Sequence, residues 1–157
     1  EVACATSDIG TGTYTVMALV AADTLGIAPE RITARLGDSD LPTAPVEGGS
    51  WGAASTGAAV QLACQTIAKK LYKAAARMDG KPLGDASFED VEFVDGTIRR
   101  KDGAGQALAL TDVMQAAGLD TIEAEETAAP GIGDMISTMR KSRNTHTQRH
   151  LLRSACR

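Results

Sequence analysis

Between residues 53 and 78, Val60, Cys64, Ile67, Leu71 and Ala75 recur every three or four positions, opposite Lys69, Lys70 and Lys73. That spacing predicts a long helix with one apolar stripe and a charged outer face. Its lysines gather towards the C-terminal end, where the helix dipole favours cations. Such a helix cannot bury its stripe alone, so a second layer must cover it. Aromatic residues make up only 3% of the chain although 43% is apolar, so the layers must meet through small and aliphatic side chains. A length of 157 residues suits one ordinary domain, or one slice of a larger one.

The remaining segments supply that second layer. Val2-Ala3-Cys4-Ala5-Thr6 reads as a short strand running into a polar, glycine-containing turn at residues 7–13. Residues 14–25 fit a helix with Val16, Leu19 and Val20 on one face, closed by Gly26. Residues 32–36 alternate as a half-buried strand does, and Gly37-Asp38-Ser39-Asp40 ends it. Residues 41–52 carry two prolines and three glycines and are expected to be irregular. Past the long helix, Val91-Glu92-Phe93-Val94 and Thr97-Ile98-Arg99-Arg100 flank Asp95-Gly96, the signature of a tight hairpin. Thr111 is placed to cap a helix over 112–117 closed by Gly118, and residues 122–127 alternate like another strand. The predicted class is therefore α+β, a mixed sheet packed with helices. No internal repeat of fixed period is present.

Charge and cysteine usage narrow the functional classes. The net charge is −4, which argues against nucleic acid as a partner of the whole chain. No stretch approaches the roughly 18 apolar residues of a membrane span, so no membrane partner is expected. Cys4, Cys64 and Cys156 are far apart and odd in number, which fits neither a disulfide framework nor a zinc site. His146 and His150 have the spacing of a helical metal pair but no third ligand in sequence reach, so no metal site is expected there. From Arg140 onward the chain has six basic residues and no acidic one, leaving ten basic against twenty acidic residues before it. That tail differs in kind from the rest.

Two loops combine small residues with a helix start. Gly10-Thr11-Gly12-Thr13 lies between the first strand and the first helix, where unpaired backbone N–H groups and the helix dipole favour an anion or a polar ring system. Glycine at two positions allows positive φ and close approach of a ligand to the main chain. Gly48-Gly49-Ser50-Trp51-Gly52-Ala53-Ala54-Ser55 does the same at the start of the long helix. There Ser55 is placed either to cap the helix or to bond a ligand oxygen, and Trp51 to pack. Asp8, Asp38 and Asp40 stand in turns beside glycine or serine, where carboxylates usually bond their own backbone. No carboxylate pair suited to acid–base catalysis stands out, and no catalytic residue is assigned.

Taken together, Ser7-Asp8-Ile9-Gly10-Thr11-Gly12-Thr13-Tyr14-Thr15, then Leu25-Gly26, then Leu36-Gly37-Asp38-Ser39-Asp40-Leu41-Pro42, then Gly48-Gly49-Ser50 and Ala53-Ala54-Ser55, resemble the large subunit of the molybdenum hydroxylases. This is the xanthine dehydrogenase and aldehyde oxidase family, and the resemblance runs from about residue 1 to about 145. It implies an internal portion of the molybdopterin-binding domain over residues 1–139, with the cofactor held by Gly10, Thr11, Gly12, Thr13, Ala53, Ala54 and Ser55. It further implies molybdopterin with molybdenum, in bacteria often the cytosine dinucleotide form, and iron–sulfur clusters and FAD on partner subunits or domains. The implied reaction of the complete enzyme is hydroxylation of an aldehyde or N-heterocycle. Many relatives carry glutamine where Thr11 stands and a hydroxylated or charged residue where Gly52 stands. The family's glutamate base lies outside these residues, so the chain alone is expected not to turn over.

Relatives have a strand with phenylalanine, alanine, glutamate and valine where this chain has its basic tail. One permitted back-translation of Thr147 to Arg153, read two bases later, yields serine, alanine, threonine, phenylalanine, alanine, glutamate and valine. The sequence expectation for residues 140–157 is thus a shifted reading frame or a disordered basic terminus, and the coding DNA decides between them. Two other functional readings are a truncated domain that binds no cofactor and a small phosphate- or nucleotide-binding module built on residues 10–13. A slice of a larger domain should also expose apolar surface and self-associate.

Overall fold

The computed structural model describes residues 1–44 and 52–128, together with the backbone of 151–156. Strand β1 (Val2–Ala3) leads through the glycine turn into helix α1 (Thr13–Leu25), and β2 (Ala34–Arg35) follows parallel to β1. The long helix α2 covers Gly52–Ala75. A hairpin of β3 (Val91–Val94) and β4 (Thr97–Arg100) comes next, then β5 (Leu108–Ala109), helix α3 (Leu110–Ala116), β6 (Ile122–Thr127) and β7 (Leu151–Cys156). The larger sheet has the order β2-β1-β7-β6 and the smaller one β3-β4-β5. Among the described strands only β1 and β2 are parallel, so the sheet is mixed and the α+β reading holds.

The stripe foreseen on α2 is the centre of the core. Val60, Cys64, Ile67, Leu71 and Ala75 are all buried, and they share one cluster with Met17, Ala21 and Leu25 of α1, Val2 and Cys4 at β1, and Ile122 and Ala124 of β6. Cys4 and Cys64 are both buried in this core, the placement of structural cysteines. Small residues let the two helices close on each other: a Cβ placed at Gly57 of α2 would lie 3.8 Å from both Val16 and Val20 of α1.

Both ends of α1 are set by glycine. Gly12 is the N-cap at φ 75° and Gly26 the C-cap at φ 59°, each in the left-handed region that L side chains avoid. Gly26 is also jammed against the hairpin. Its carbonyl accepts from the Gly96 N–H at 2.6 Å, and a Cβ there would stand 2.2 Å from the Phe93 carbonyl oxygen. The hairpin turn is the expected tight one, with Asp95 and Gly96 both at positive φ.

Three sequence expectations change. The face of α1 is turned from the expected one: Leu19 is exposed, and Met17, Ala21 and Leu25 are the fully buried positions. Thr111 does not cap α3: the helix begins at Leu110 with Ala109 as its N-cap. The reason is that β5 runs straight into the helix while the Leu110 N–H donates to the Gly96 carbonyl at 2.9 Å, so pairing with the hairpin sets the start. β5 itself, only two residues long, had no pattern by which to be seen. Part of the basic tail is sheet: Leu151–Cys156 forms β7 between β1 and β6, with Ser154 opposite both Val2 and Ala124. His146, His150 and residues 48–51 lie outside the described residues.

Candidate functional site

The topology decides whether the two small-residue loops face the same way. Because β1 and β2 are parallel and joined through α1, α1 must run back against the direction of β1. Thr66 of α2 donates to the Glu126 carboxylate at 2.7 Å and Lys70 to the Glu123 carbonyl at 2.6 Å, so α2 runs against β6. β6 and β1 are both antiparallel to β7 and hence parallel to each other. Both helices therefore point the same way, and both begin at the end of the sheet where β1 and β6 finish. The contact of Gly57 with Val16 and Val20 lies five residues into α2 and about as far into α1. At the α-helical rise, each helix start stands roughly 7–8 Å beyond that crossing.

The first start is built around Asp8. Its Oδ1 accepts from the Gly10 N–H at 2.9 Å and from the Gly12 N–H at 3.1 Å. Desolvation pushes this carboxyl up, but donation from the backbone of Gly10, Gly12, Tyr14 and Thr13 outweighs it and holds the group below the usual carboxylate range. The sequence reading of Asp8 as a residue that bonds its own backbone is correct, and Asp38 does likewise to the Asp40 N–H. The reading of the same loop as a cradle of unpaired N–H groups is not: Asp8 already occupies the amides of Gly10 and Gly12. An aspartate two residues before glycine, upstream of a cap that has no side chain, is the sequence signal that carried this.

Around that carboxylate, Gly10 and Thr11 are exposed, Gly12 is half-buried and Thr13 is buried. The Thr11 and Thr13 hydroxyls are 3.1 Å apart and hydrogen-bonded. No heavy atom lies within 4 Å of a Cβ built at Gly10 or Gly12, so the glycines serve the turn and leave its outer side open.

The second start is uncharged. Ala53 and Ala54 are exposed and Ser55 is half-buried. The Ser55 hydroxyl donates to the Gly52 carbonyl at 3.3 Å, so Ser55 sits one turn inside the helix and is not its N-cap. Neither α1 nor α2 has an acidic residue in its first turn. A shallow groove of about 340 Å³ passes Leu19, Asp23, Ala53 and Gly57 between the helices. The wider cleft of about 690 Å³ lies at the other end of α1, between Gly26 and the hairpin, away from both starts. Among the described residues no three His, Cys, Asp or Glu side chains gather as a metal site, and no helix is long and apolar enough to cross a membrane.

Residues 1–150 match the family described as Molybdopterin cofactor-binding domain. The chain belongs to that family. Its fold is similar to that of molybdenum hydroxylase large subunits. The chain is 37% identical over 91 residues to the aldehyde oxidoreductase molybdenum-binding subunit PaoC of Escherichia coli K12, an alignment covering 58% of this chain and 12% of that subunit. Among solved structures it superposes on quinoline 2-oxidoreductase from Pseudomonas putida 86 with a TM-score of 0.58 and 23% identity, covering 71% of this chain and 14% of the other. The Cu,Mo-CO dehydrogenase matches with a TM-score of 0.53, 27% identity and the same coverages. This molybdopterin-binding domain thus spans about one-eighth to one-seventh of the length of these relatives.

The residues present suit such a cofactor. Two helix starts at one end of the sheet leave Gly10, Thr11, Ala53 and Ala54 exposed and without bulky side chains, a surface on which a flat ring system can lie against main chain.

Proposed function

We propose that the chain is one wall of the cofactor cleft in a complete molybdenum hydroxylase. Gly10, Thr11, Ala53 and Ala54 touch the cofactor, while Gly12, Thr13 and Ser55 shape the two turns. The observation that carries this reading is the parallel course of α1 and α2, which puts both small-residue starts at one edge. The cofactor is molybdopterin in its cytosine dinucleotide form, and when bound it supplies the redox chemistry while the protein binds and orients it. Iron–sulfur and FAD subunits or domains complete the enzyme. Its substrates are aldehydes or N-heterocycles, in keeping with the names of PaoC and of the quinoline oxidoreductase. Exposed Ile9, Tyr14, Leu19 and Leu62 suit contact with the remainder of that enzyme, and drive self-association of the chain on its own.

Ala53 and Ala54 are exposed, so a large side chain there spares the fold and blocks the cleft. In the complete enzyme, Ala54→Phe should lower bound molybdenum and pterin by roughly tenfold, a loss of about 1.4 kcal/mol, with no change in melting temperature. Ala58→Phe, at another exposed position of α2, should retain both. Equal cofactor content in the two variants would contradict the reading.

A further inference from the structure

A helix start exposes N–H groups and the positive end of the peptide dipoles, and the N-cap side chain normally answers them. α1 has glycine as its N-cap and no side-chain cap of the ordinary kind. Asp8, four residues upstream of Gly12, answers instead, with one oxygen shared between the Gly10 and Gly12 amides. For the chain to double back around that oxygen, Gly10 takes φ 99° and Gly12 φ 75°. Both glycines have open space where a Cβ would stand, so their conformation and not crowding requires them. The two features, carboxylate and positive-φ glycines, form one device.

We propose that Asp8 is the positioning residue of this loop: it serves as a built-in anion that turns the Gly10 and Gly12 amides inward, so that the loop meets the cofactor through the uncharged outer edge at Gly10 and Thr11 and receives no phosphate. A second anion could reach those amides only by displacing a carboxylate of the same charge. The loop thus orients the ligand by refusing one part of it. The cofactor side of this inference rests on the function proposed above, whereas the role of Asp8 within the loop does not.

Backbone amide NMR of the chain, titrated with inorganic phosphate, separates the two. In the native chain the Gly10 and Gly12 amide protons should lie downfield and stay unmoved by phosphate. In Asp8→Ala both should shift upfield and then respond to phosphate, and Asp8→Asn, which keeps an acceptor oxygen, should restore the native positions in part. Phosphate-dependent shifts of these amides in the native chain would overturn the proposal, as would unchanged positions in Asp8→Ala. In the complete enzyme, Asp8→Ala should retain roughly tenfold less pterin than the native protein and Asp8→Asn an intermediate amount. If the native enzyme holds pterin and Asp8→Ala holds as much, the inference fails while the cofactor reading stands. If the native enzyme holds none, the cofactor reading fails and the amide shifts still decide what Asp8 does.

Discussion

The two helices that bring the candidate site together are held in opposite ways. α1 is short and pinned at its ends: Asp8 feeds its glycine cap on one side, and Gly26 is wedged beneath the Phe93 carbonyl on the other. α2 is nearly twice as long and pinned along its length, by a stripe from Val60 to Ala75 that packs on α1 and the sheet. Small residues therefore do two unlike jobs here. At the ends of α1 glycine is required by backbone geometry, whereas on α2 small side chains permit close approach and keep the outer surface open.

Substitution breaks that comparison most sharply at Gly26. Gly26→Ala must force a left-handed conformation on alanine and drive a Cβ into backbone 2.2 Å away, and should cost about 4 kcal/mol, measured by chemical denaturation. On α2 the corresponding loss comes from the middle: Ile67 is fully buried, and Ile67→Ala should cost about 3 kcal/mol in the same assay. Gly57→Ala should change the sign. Its Cβ meets Val16 and Val20 at ordinary contact distance, so the gain in helix propensity should stabilise the chain by about 0.5–1 kcal/mol. A destabilised Gly57→Ala would show that α2 also depends on glycine for its packing.

The smallest effect is the dependence on pH. Because the Asp8 carboxyl is held below its ordinary range, its contribution is present above the usual carboxylate pKa of about 3.9. It is lost as the pH falls through the lower native value. Asp8→Asn should therefore flatten the acid limb of a denaturation-versus-pH curve without abolishing it. Among the described residues, Asp90, lowered first by the Ser87 hydroxyl, and Asp102, lowered to about 2 first by its hydrogen bond with Arg100, add to the same limb. An acid limb identical in slope would show that the Asp8 bonds do not persist in solution.

Periodicity made α2 and the hairpin legible, because each carries its own apolar spacing or turn chemistry across several residues; α1 was legible as a helix, but its buried face is Met17, Ala21 and Leu25 and leaves Leu19 exposed. β5 was not legible, since two residues have no period, and neither was the true start of α3, which depends on a hydrogen bond to the distant Gly96. β7 was hidden for a different reason: its place between β1 and β6 is a tertiary fact that a basic tail does not announce. At the site, the open character of Gly10 and Ala53 could be read from composition. Occupation of the loop amides by Asp8 could be read only by joining a turn rule to a capping rule.

In the complete enzyme the two helix starts are expected to face a single cofactor. Hydrogen–deuterium exchange of the complete enzyme, with and without its molybdenum cofactor, should show protection of residues 10–13 and 53–55 appearing together on binding. Protection at one start alone, or elsewhere in this chain with both starts unchanged, would contradict it.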